Sequence, residues 1–211
     1  MLRLCLFHAR FLAKLIVALT LATPAVAEDI GTSNATFSEA VQAVKDRDYR
    51  HAMKLFAVQA DQNQHDAQHN LAVLLEAGKG VPQDFSKALV WAWSAKLGGI
   101  EAAGDLAEDL IDLLPEKTIE NVREEVKVRL EARVADGSAP AVSQFAQYHL
   151  DILEEPDFET AYIWYSIATA IGLPGALEAR DDARENVDDE KIAELQAEAG
   201  TIFETLVIAS N

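Results

Sequence analysis

The sequence predicts an all-α protein, an α-solenoid of antiparallel helix pairs preceded by a signal peptide. One set of residues recurs at a spacing of 73: Phe85, Ala88, Trp91, Ala95 and Gly99 return as Phe158, Ala161, Trp164, Ala168 and Gly172. A weaker copy lies 36 residues before the first, at Tyr49, Ala52 and Leu55. A period in the mid-thirties is typical of stacked helix pairs that bury their apolar faces against neighbouring units. Only 10 Gly and 6 Pro in 211 residues favour helices in one domain.

The first element, residues 1–27, has the pattern of a secretory signal peptide. Its start is basic at Arg3, Arg10 and Lys14, an apolar stretch covers 15–21, and small residues stand at Ala25 and Ala27. The stretch 15–27 has 13 residues, fewer than the ~20 that cross a bilayer, so an uncleaved anchor is disfavoured. We therefore expect cleavage after Ala27 and export to a bacterial periplasm, with no membrane insertion of the mature product. The single cysteine lies within this segment, which leaves the mature chain without a disulfide.

The mature chain is strongly acidic. The whole sequence has 18 basic and 35 acidic residues, and removing three basic ones changes the net charge from −17 to −20. Such a surface repels nucleic acid and anionic lipid, and it attracts cationic partners at low salt. The same charge also keeps an exported protein soluble.

A flexible leader is expected at 28–36, followed by a single helical domain at 37–211. The domain divides into helix pairs at 37–65, 66–99, 100–137, 139–173 and 174–211. In the second pair, Ala67, Leu71 and Leu75 form one apolar stripe, and Gly78 is placed to end that helix in a left-handed turn. Asp84 then caps the next helix.

A larger duplication of about 73 residues relates 66–137 to 139–211. Residues 114–117 (Leu-Pro-Glu-Lys) are echoed by 188–191 (Asp-Asp-Glu-Lys), with Glu116 and Glu190 74 positions apart. Each copy is predicted to contain one clear helix pair followed by one pair without the tryptophan signature. With the first pair, this gives about ten helices.

The clear unit at 66–99 resembles the Sel-one-like repeat, a relative of the tetratricopeptide repeat. The residues that carry the resemblance are Ala67, Leu71, Ala72, the Gly-Lys-Gly-Val turn at 78–81, Asp84, Phe85, Ala88, Trp91, Ala95 and Gly99. Units at 37–65 and 139–173 match more weakly, and the later unit has lost the glycine turn. The resemblance implies a superhelix that binds proteins, its concave side lined by the first helix of each pair.

Residues 65–69 read His-Asp-x-x-His, which raises the question of a metal site. Two histidines four apart on a helix share a face and could hold zinc. No third ligand is evident, so we expect no catalytic residue, no cofactor and no metal, and a metal-dependent hydrolase centred on His65 and His69 remains the alternative. His149 is expected to be half-buried with its hydrogen bonds satisfied.

The tryptophans divide into two groups. Trp91 and Trp164 occupy equivalent repeat positions and are predicted to lie in the core. Trp93 breaks the apolar stripe of its helix, so it is predicted to be exposed and to contact a partner.

The sequence favours a non-enzymatic periplasmic adaptor with an acidic concave groove. On the first helices of two successive pairs, the residues that face away from the apolar stripe, together with Trp93, are the candidate partner-binding residues: Asp66, His69, Val73, Glu76, Glu101, Glu108 and Trp93. This groove suits a protein or peptide with a basic or amphipathic segment. An inhibitor or regulator of a cell-envelope enzyme is a further alternative, because it needs only a complementary surface.

Overall fold

The computed structural model describes residues 34–206, and this part of the chain contains α-helices and no strand. The predicted signal peptide, most of the predicted leader and residues 207–211 lie outside it. Ten α-helices follow one another, with a single 3₁₀ turn at Asp189–Lys191: α1 Asn34–Lys45, α2 Tyr49–Asp61, α3 His65–Glu76, α4 Phe85–Leu97, α5 Glu101–Ile111, α6 Glu116–Ala135, α7 Ala139–Asp151, α8 Phe158–Ala170, α9 Ala176–Arg184 and α10 Ile192–Thr205. The predicted α-solenoid is confirmed.

The first helix begins earlier than the predicted domain start at 37. Asn34 opens α1, and the Ser38 hydroxyl donates to its carbonyl oxygen at 2.8 Å. Phe37 packs edge-on against Phe56 of α2, with ring centroids 5.6 Å apart. The extra turn holds Phe37 in place, which explains why the helix extends into the segment expected to be flexible.

Consecutive helices joined by short turns pack side by side in α1–α2, α3–α4 and α7–α8, and α2 also packs on α3. The two pairs without a tryptophan signature behave differently. Helices α5 and α6 both pack against α4, while α9 and α10 both pack against α8, in preference to packing on each other. Because α6 also packs on α7, the stack continues into the second copy.

The two clear pairs close their turns with the same hydrogen bond, although the second turn is one residue shorter. The Asp84 amide donates to the Leu75 carbonyl at 3.1 Å, and the Asp157 amide donates to the His149 carbonyl at 2.8 Å. Each aspartate then caps its helix, because its carboxylate accepts from a backbone amide, Lys87 for Asp84 and Thr160 for Asp157, both at 3.0 Å.

Helix α4 lies at the centre of the described molecule, surrounded by α3, α5, α6 and α7. Its apolar residues are therefore buried on several sides rather than on one stripe. The prediction that Trp93 is exposed is wrong, since this side chain is 3% exposed. Trp91 and Trp164 are half-buried at the edge of the core, so the prediction that both are core residues also needs correction.

None of the helices in the described part of the chain is both long and apolar enough to span a lipid bilayer.

Candidate binding surfaces

The outer faces of α3 and α5 carry most of the predicted partner-binding residues. Both helices pack on α4 and touch each other. On α3, Asp66 and Val73 are exposed, whereas His69 and Glu76 are half-buried. On α5 the predicted residues Glu101 and Glu108 are both exposed, because Ala103, Ala107 and Leu110 supply its buried side. Trp93 takes no part in this surface.

Helix α5 adds acidic residues that the sequence analysis did not select. Asp105, Asp109 and Asp112 are exposed, as are Glu101 and Glu108. Within residues 34–206, none of these five carboxylates lies within 4.0 Å of a basic group. The run of acids at 101–112 without a basic residue was visible in the sequence, but only the packing of α5 shows that all of it faces solvent. We call this surface, formed by the exposed residues of α3 and α5 together with the half-buried Glu76 of α3, the acidic face.

His65 packs against the end of α4. A Cβ atom added at Gly98 would come within 2.0 Å of the His65 ring, so the imidazole packs directly on the glycine backbone. Its Nδ1 lies 2.9 Å from Gln68 Oε1, and its Nε2 lies 3.2 Å from Gln144 Nε2 on α7. The histidine thus connects α3, the end of α4 and α7, and Gln144 of α7 lies 79 positions away in the sequence.

The ends of this hydrogen-bond chain fix the orientation of its two amides. At one end Gln68 Nε2 donates to the Ala60 carbonyl at 3.1 Å, so Gln68 Oε1 faces His65 Nδ1. At the other end Arg133 Nη1 can only donate, and it donates to Gln144 Oε1 at 2.6 Å, so Gln144 Nε2 faces His65 Nε2. The chain therefore links Ala60 of α2 to Arg133 of α6 through His65.

The two histidines of the His-Asp-x-x-His motif do not form a shared metal site. Both ring nitrogens of His65 are engaged by glutamines, and Nδ1 of His69 is buried without a hydrogen-bond partner in the described chain. No group of three or more His, Cys, Asp or Glu residues in the described range is arranged to hold a metal ion. The residues that come together around His65 are amides and an arginine, which are poor ligands for zinc.

Two cavities flank Trp91. One, of about 210 Å³, lies among the end of α2, α4, α6 and Gln144 of α7, and Arg129 and Arg133 of α6 line it. The other, of about 490 Å³, lies on the α2 and α3 side and is lined mainly by apolar residues, including Met53, Leu75 and Val81. The Arg129 guanidinium carbon stands 4.7 Å from the centroid of the Trp91 ring, over its face.

Sequence reasoning missed the arginine-lined cavity, although one signal pointed to it. Arg129 and Arg133 are four residues apart on a predicted helix and so share a face, in a chain that is otherwise acidic. The sequence pattern does not show that this face packs against α4 and Gln144, because that contact depends on tertiary packing.

Comparison with known proteins shows which repeat the chain carries. The model of the Sel1 repeat matches residues 65–95 and 146–173, which cover α3 with most of α4, and the end of α7 with α8. A search of curated proteins found no significant match. Among solved structures, the chain is similar to the crystal structure of c5321, a protective antigen present in uropathogenic Escherichia coli strains that displays an SLR fold. The two are 15% identical with a TM-score of 0.32, over 76% of this chain and 44% of that chain, so this chain spans less than half of that protein's length.

Proposed function

We propose that this chain, which contains Sel1 repeats, is a non-enzymatic scaffold of the periplasm that binds a partner protein or peptide through the acidic face. Repeats of this family are generally protein–protein interaction modules, and they typically form a scaffold rather than an active site. The partner proposed here presents a basic or amphipathic segment.

The observation that carries the proposal is the set of unpaired carboxylates on α5 beside the exposed side of α3. Carboxylates that have no basic partner within the protein keep their negative electrostatic potential. This potential attracts a cationic partner and raises its association rate at low ionic strength. Val73, 39% exposed on α3, offers an apolar contact on the helix that touches α5. A segment with lysine or arginine on one side and apolar residues on the other matches both features.

The test compares two triple variants with equal change in charge. Glu76→Gln/Glu101→Gln/Glu108→Gln removes three carboxylates from the acidic face. Glu120→Gln/Glu154→Gln/Glu198→Gln removes three exposed carboxylates from elsewhere in the described chain, none of them in an ion pair there. Partners captured from periplasmic extract by immobilised protein are identified by mass spectrometry, and their affinities are then measured by titration.

We expect the acidic-face variant to bind the captured partner about tenfold more weakly, since each partly screened charge pair contributes ~0.2–1 kcal/mol. The control variant should bind as the unmodified protein does, and added salt should weaken all three. Equal affinity of the two triple variants for the partner would show that the partner does not bind through the acidic face.

Export is tested separately. Cell fractionation should place the protein in the periplasm, and the intact mass should correspond to a chain that begins at Glu28. Recovery of a chain that retains residues 1–27 in the cytoplasm would contradict the proposed location.

A further inference from the structure

Arg133 on α6 is a partly buried cation without an anionic partner. Burial lowers the pKa of its guanidinium, and the charge of no neighbouring carboxylate offsets this effect. Within the described part of the chain, no carboxylate lies within 4.0 Å of it. Two acids of α6 are paired with other arginines of the same helix, Glu125 with Arg129 at 3.0 Å and Glu116 with Arg123 at 2.9 Å.

One edge of the Arg133 guanidinium lacks an acceptor. Nη1 donates to Gln144 Oε1, whereas Nε is buried and has no hydrogen-bond partner in residues 34–206. Nη2 makes no hydrogen bond to those residues either. The Nε and Nη2 hydrogens lie on the same edge of the planar group, which is the spacing that two carboxylate oxygens match.

The cavity beside Arg133 limits what can approach it. Its volume of about 210 Å³ is below the ~300–1,000 Å³ of sites for drug-sized ligands. Apolar side chains make up much of its wall, chiefly Trp91, Leu97, Val126 and Leu130. The charged residues that line it are Arg129, Arg133 and Asp61, and Arg129 is paired to Glu125, so Arg133 is the cation in this wall that has no ion pair.

The second copy of the duplication has no arginines at these positions. In the register that relates Glu116 to Glu190, the position of Arg129 corresponds to Phe203, and the position of Arg133 corresponds to Val207. The two cations are thus particular to the first copy, in which α6 packs on both α4 and α7.

From these observations we propose that the cavity between α4 and α6 binds a small organic monocarboxylate, with its carboxylate on the Arg133 edge and its apolar body against Trp91 and Leu97. The ligand is defined by a carboxylate attached to an apolar group. The small volume of the cavity favours a free organic acid as the molecule that carries this group. A chain terminus is the other source of the same group. The site is separate from the acidic face, and it stands or falls independently of the proposed scaffold function.

The experiment titrates the full-length mature protein with benzoate by calorimetry and compares benzamide, which has the same shape without the charge. Binding is followed in parallel by the NMR signal of the Arg133 Nε hydrogen, which a merely structural arginine would not shift on ligand addition. A short peptide ending in phenylalanine, with a free or an amidated terminus, distinguishes a chain end from a free acid.

Benzoate is expected to bind, to shift the Arg133 Nε signal and to lose about tenfold to a hundredfold in affinity in the Arg133→Gln variant. Arg50→Gln, a change at an exposed arginine of α2, is the matched control and should bind normally. Benzamide should not bind. If the peptide with a free carboxyl terminus binds more tightly than benzoate, the carboxylate site is supported and its ligand is the end of a polypeptide chain.

Equal binding of benzoate and benzamide, or benzoate binding that leaves the Arg133 signal unchanged, would overturn the proposal. The proposal would also be overturned if the unmodified protein bound neither benzoate nor the peptide with a free carboxyl terminus. If Arg133→Gln does not fold, the proposal is still tested on the unmodified protein by the comparison of benzoate with benzamide and by the Arg133 Nε signal. Arg133→Lys then serves as the second variant, since it keeps the charge but removes the paired edge, and it should bind more weakly than arginine.

Discussion

Two tryptophans only two positions apart on α4 have opposite surroundings. Trp93 is 3% exposed and lies in the core, while Trp91 is half-buried between the two cavities. On a surface helix, two residues two positions apart usually lie one on the buried and one on the exposed side. Helix α4 has neighbouring helices on most sides, so the side of Trp93 is buried as well. The side chain that departs from the repeat pattern is therefore the one that the fold buries more deeply.

The first prediction contrasts these two residues. Trp93→Ala should lower the free energy of unfolding by ~3–5 kcal/mol, because it leaves a large cavity in the core. Trp91→Ala should have a smaller effect, because part of its ring is in contact with solvent and Arg129 can move into the space. Urea denaturation followed by circular dichroism gives both values. A larger loss for Trp91→Ala than for Trp93→Ala would contradict the arrangement of α4.

Gly98 and His65 form the closest approach between the start of α3 and the end of α4. The backbone of Gly98 has a φ of −87°, which any residue can adopt, so the glycine is needed for space rather than for conformation. The imidazole that it admits connects to Gln68 and Gln144. A methyl group at this position would displace the ring from both partners.

The second prediction is that Gly98→Ala destabilises the protein by ~1–3 kcal/mol through this overlap. In a His65→Ala background the same change should cost clearly less, which a double-mutant cycle measures. Gly104→Ala is the control, because the nearest atom to its added Cβ is 3.9 Å away and alanine favours the helix; it should stabilise by ~0.4–1 kcal/mol. Full additivity of Gly98→Ala and His65→Ala would show that the ring does not occupy this space.

At the scale of single elements, the turns between α3 and α4 and between α7 and α8 show what a repeat preserves. The glycines of the first turn are absent from the second, yet both turns retain the capping aspartate and its amide hydrogen bond. Asp84 was identifiable from the sequence because a capping residue precedes an apolar stripe. The hydrogen bond to Leu75 was not, since it depends on how the loop folds back.

His149 occupies the end of α7 beside the second of these turns. The prediction that its hydrogen bonds are satisfied is wrong: neither ring nitrogen has a hydrogen-bond partner in the described residues, and Asp157 Oδ2 lies 3.5 Å from Nδ1. Phe145 packs edge-on to the ring, with centroids 5.0 Å apart. Burial lowers the pKa of His149, the nearby Lys127 acts in the same direction, and Asp157 and Glu131 oppose them only in part. At neutral pH the contact with Asp157 is therefore not an ion pair.

The third prediction concerns stability in mild acid. Because the pKa of His149 is lower in the folded protein than the ~6.5 of an unfolded chain, the unfolded state takes up the proton first as the pH falls. The free energy of unfolding should thus decrease between pH 7 and pH 5, and His149→Phe should flatten that slope.

Asp157 affects a lower pH range. Partial burial raises its pKa, but the hydrogen bonds from Thr160 together with His149 outweigh this, so the net shift is downward. Its contribution is present above the unfolded value of ~3.9 and is lost as the pH falls further. The slope between pH 5 and 7 is accordingly assigned to His149, and an equal slope in the His149→Phe variant would refute that assignment.

At the scale of the whole molecule, periodicity predicted the architecture because each unit must bury its helices against the next. Five residues that recur at a spacing of 73 sufficed to predict an α-solenoid, which the ten described helices confirm. Periodicity does not say how the pairs without a tryptophan signature pack. Helices α5 and α6 share α4 as a neighbour, and this places Trp93 inside and exposes the acids of α5. The hydrogen-bond chain through His65 includes a contact with Gln144, 79 positions away, which local sequence patterns do not contain.

The fourth prediction follows from the central position of α4. In a stack of repeats, stability rises where a helix has neighbours on both sides and falls at the ends. Backbone amides of α4 should therefore show the slowest hydrogen exchange, those of α8 should follow, and those of α1 and α10 should exchange fastest. Exchange measured by mass spectrometry on peptides from each helix resolves this order. Because α4 is a neighbour of α3, α5, α6 and α7, Trp93→Ala should accelerate exchange in all four of these helices and leave α10 nearly unchanged. Acceleration confined to α4, or equal protection along the chain, would mean that its neighbours do not depend on it for stability.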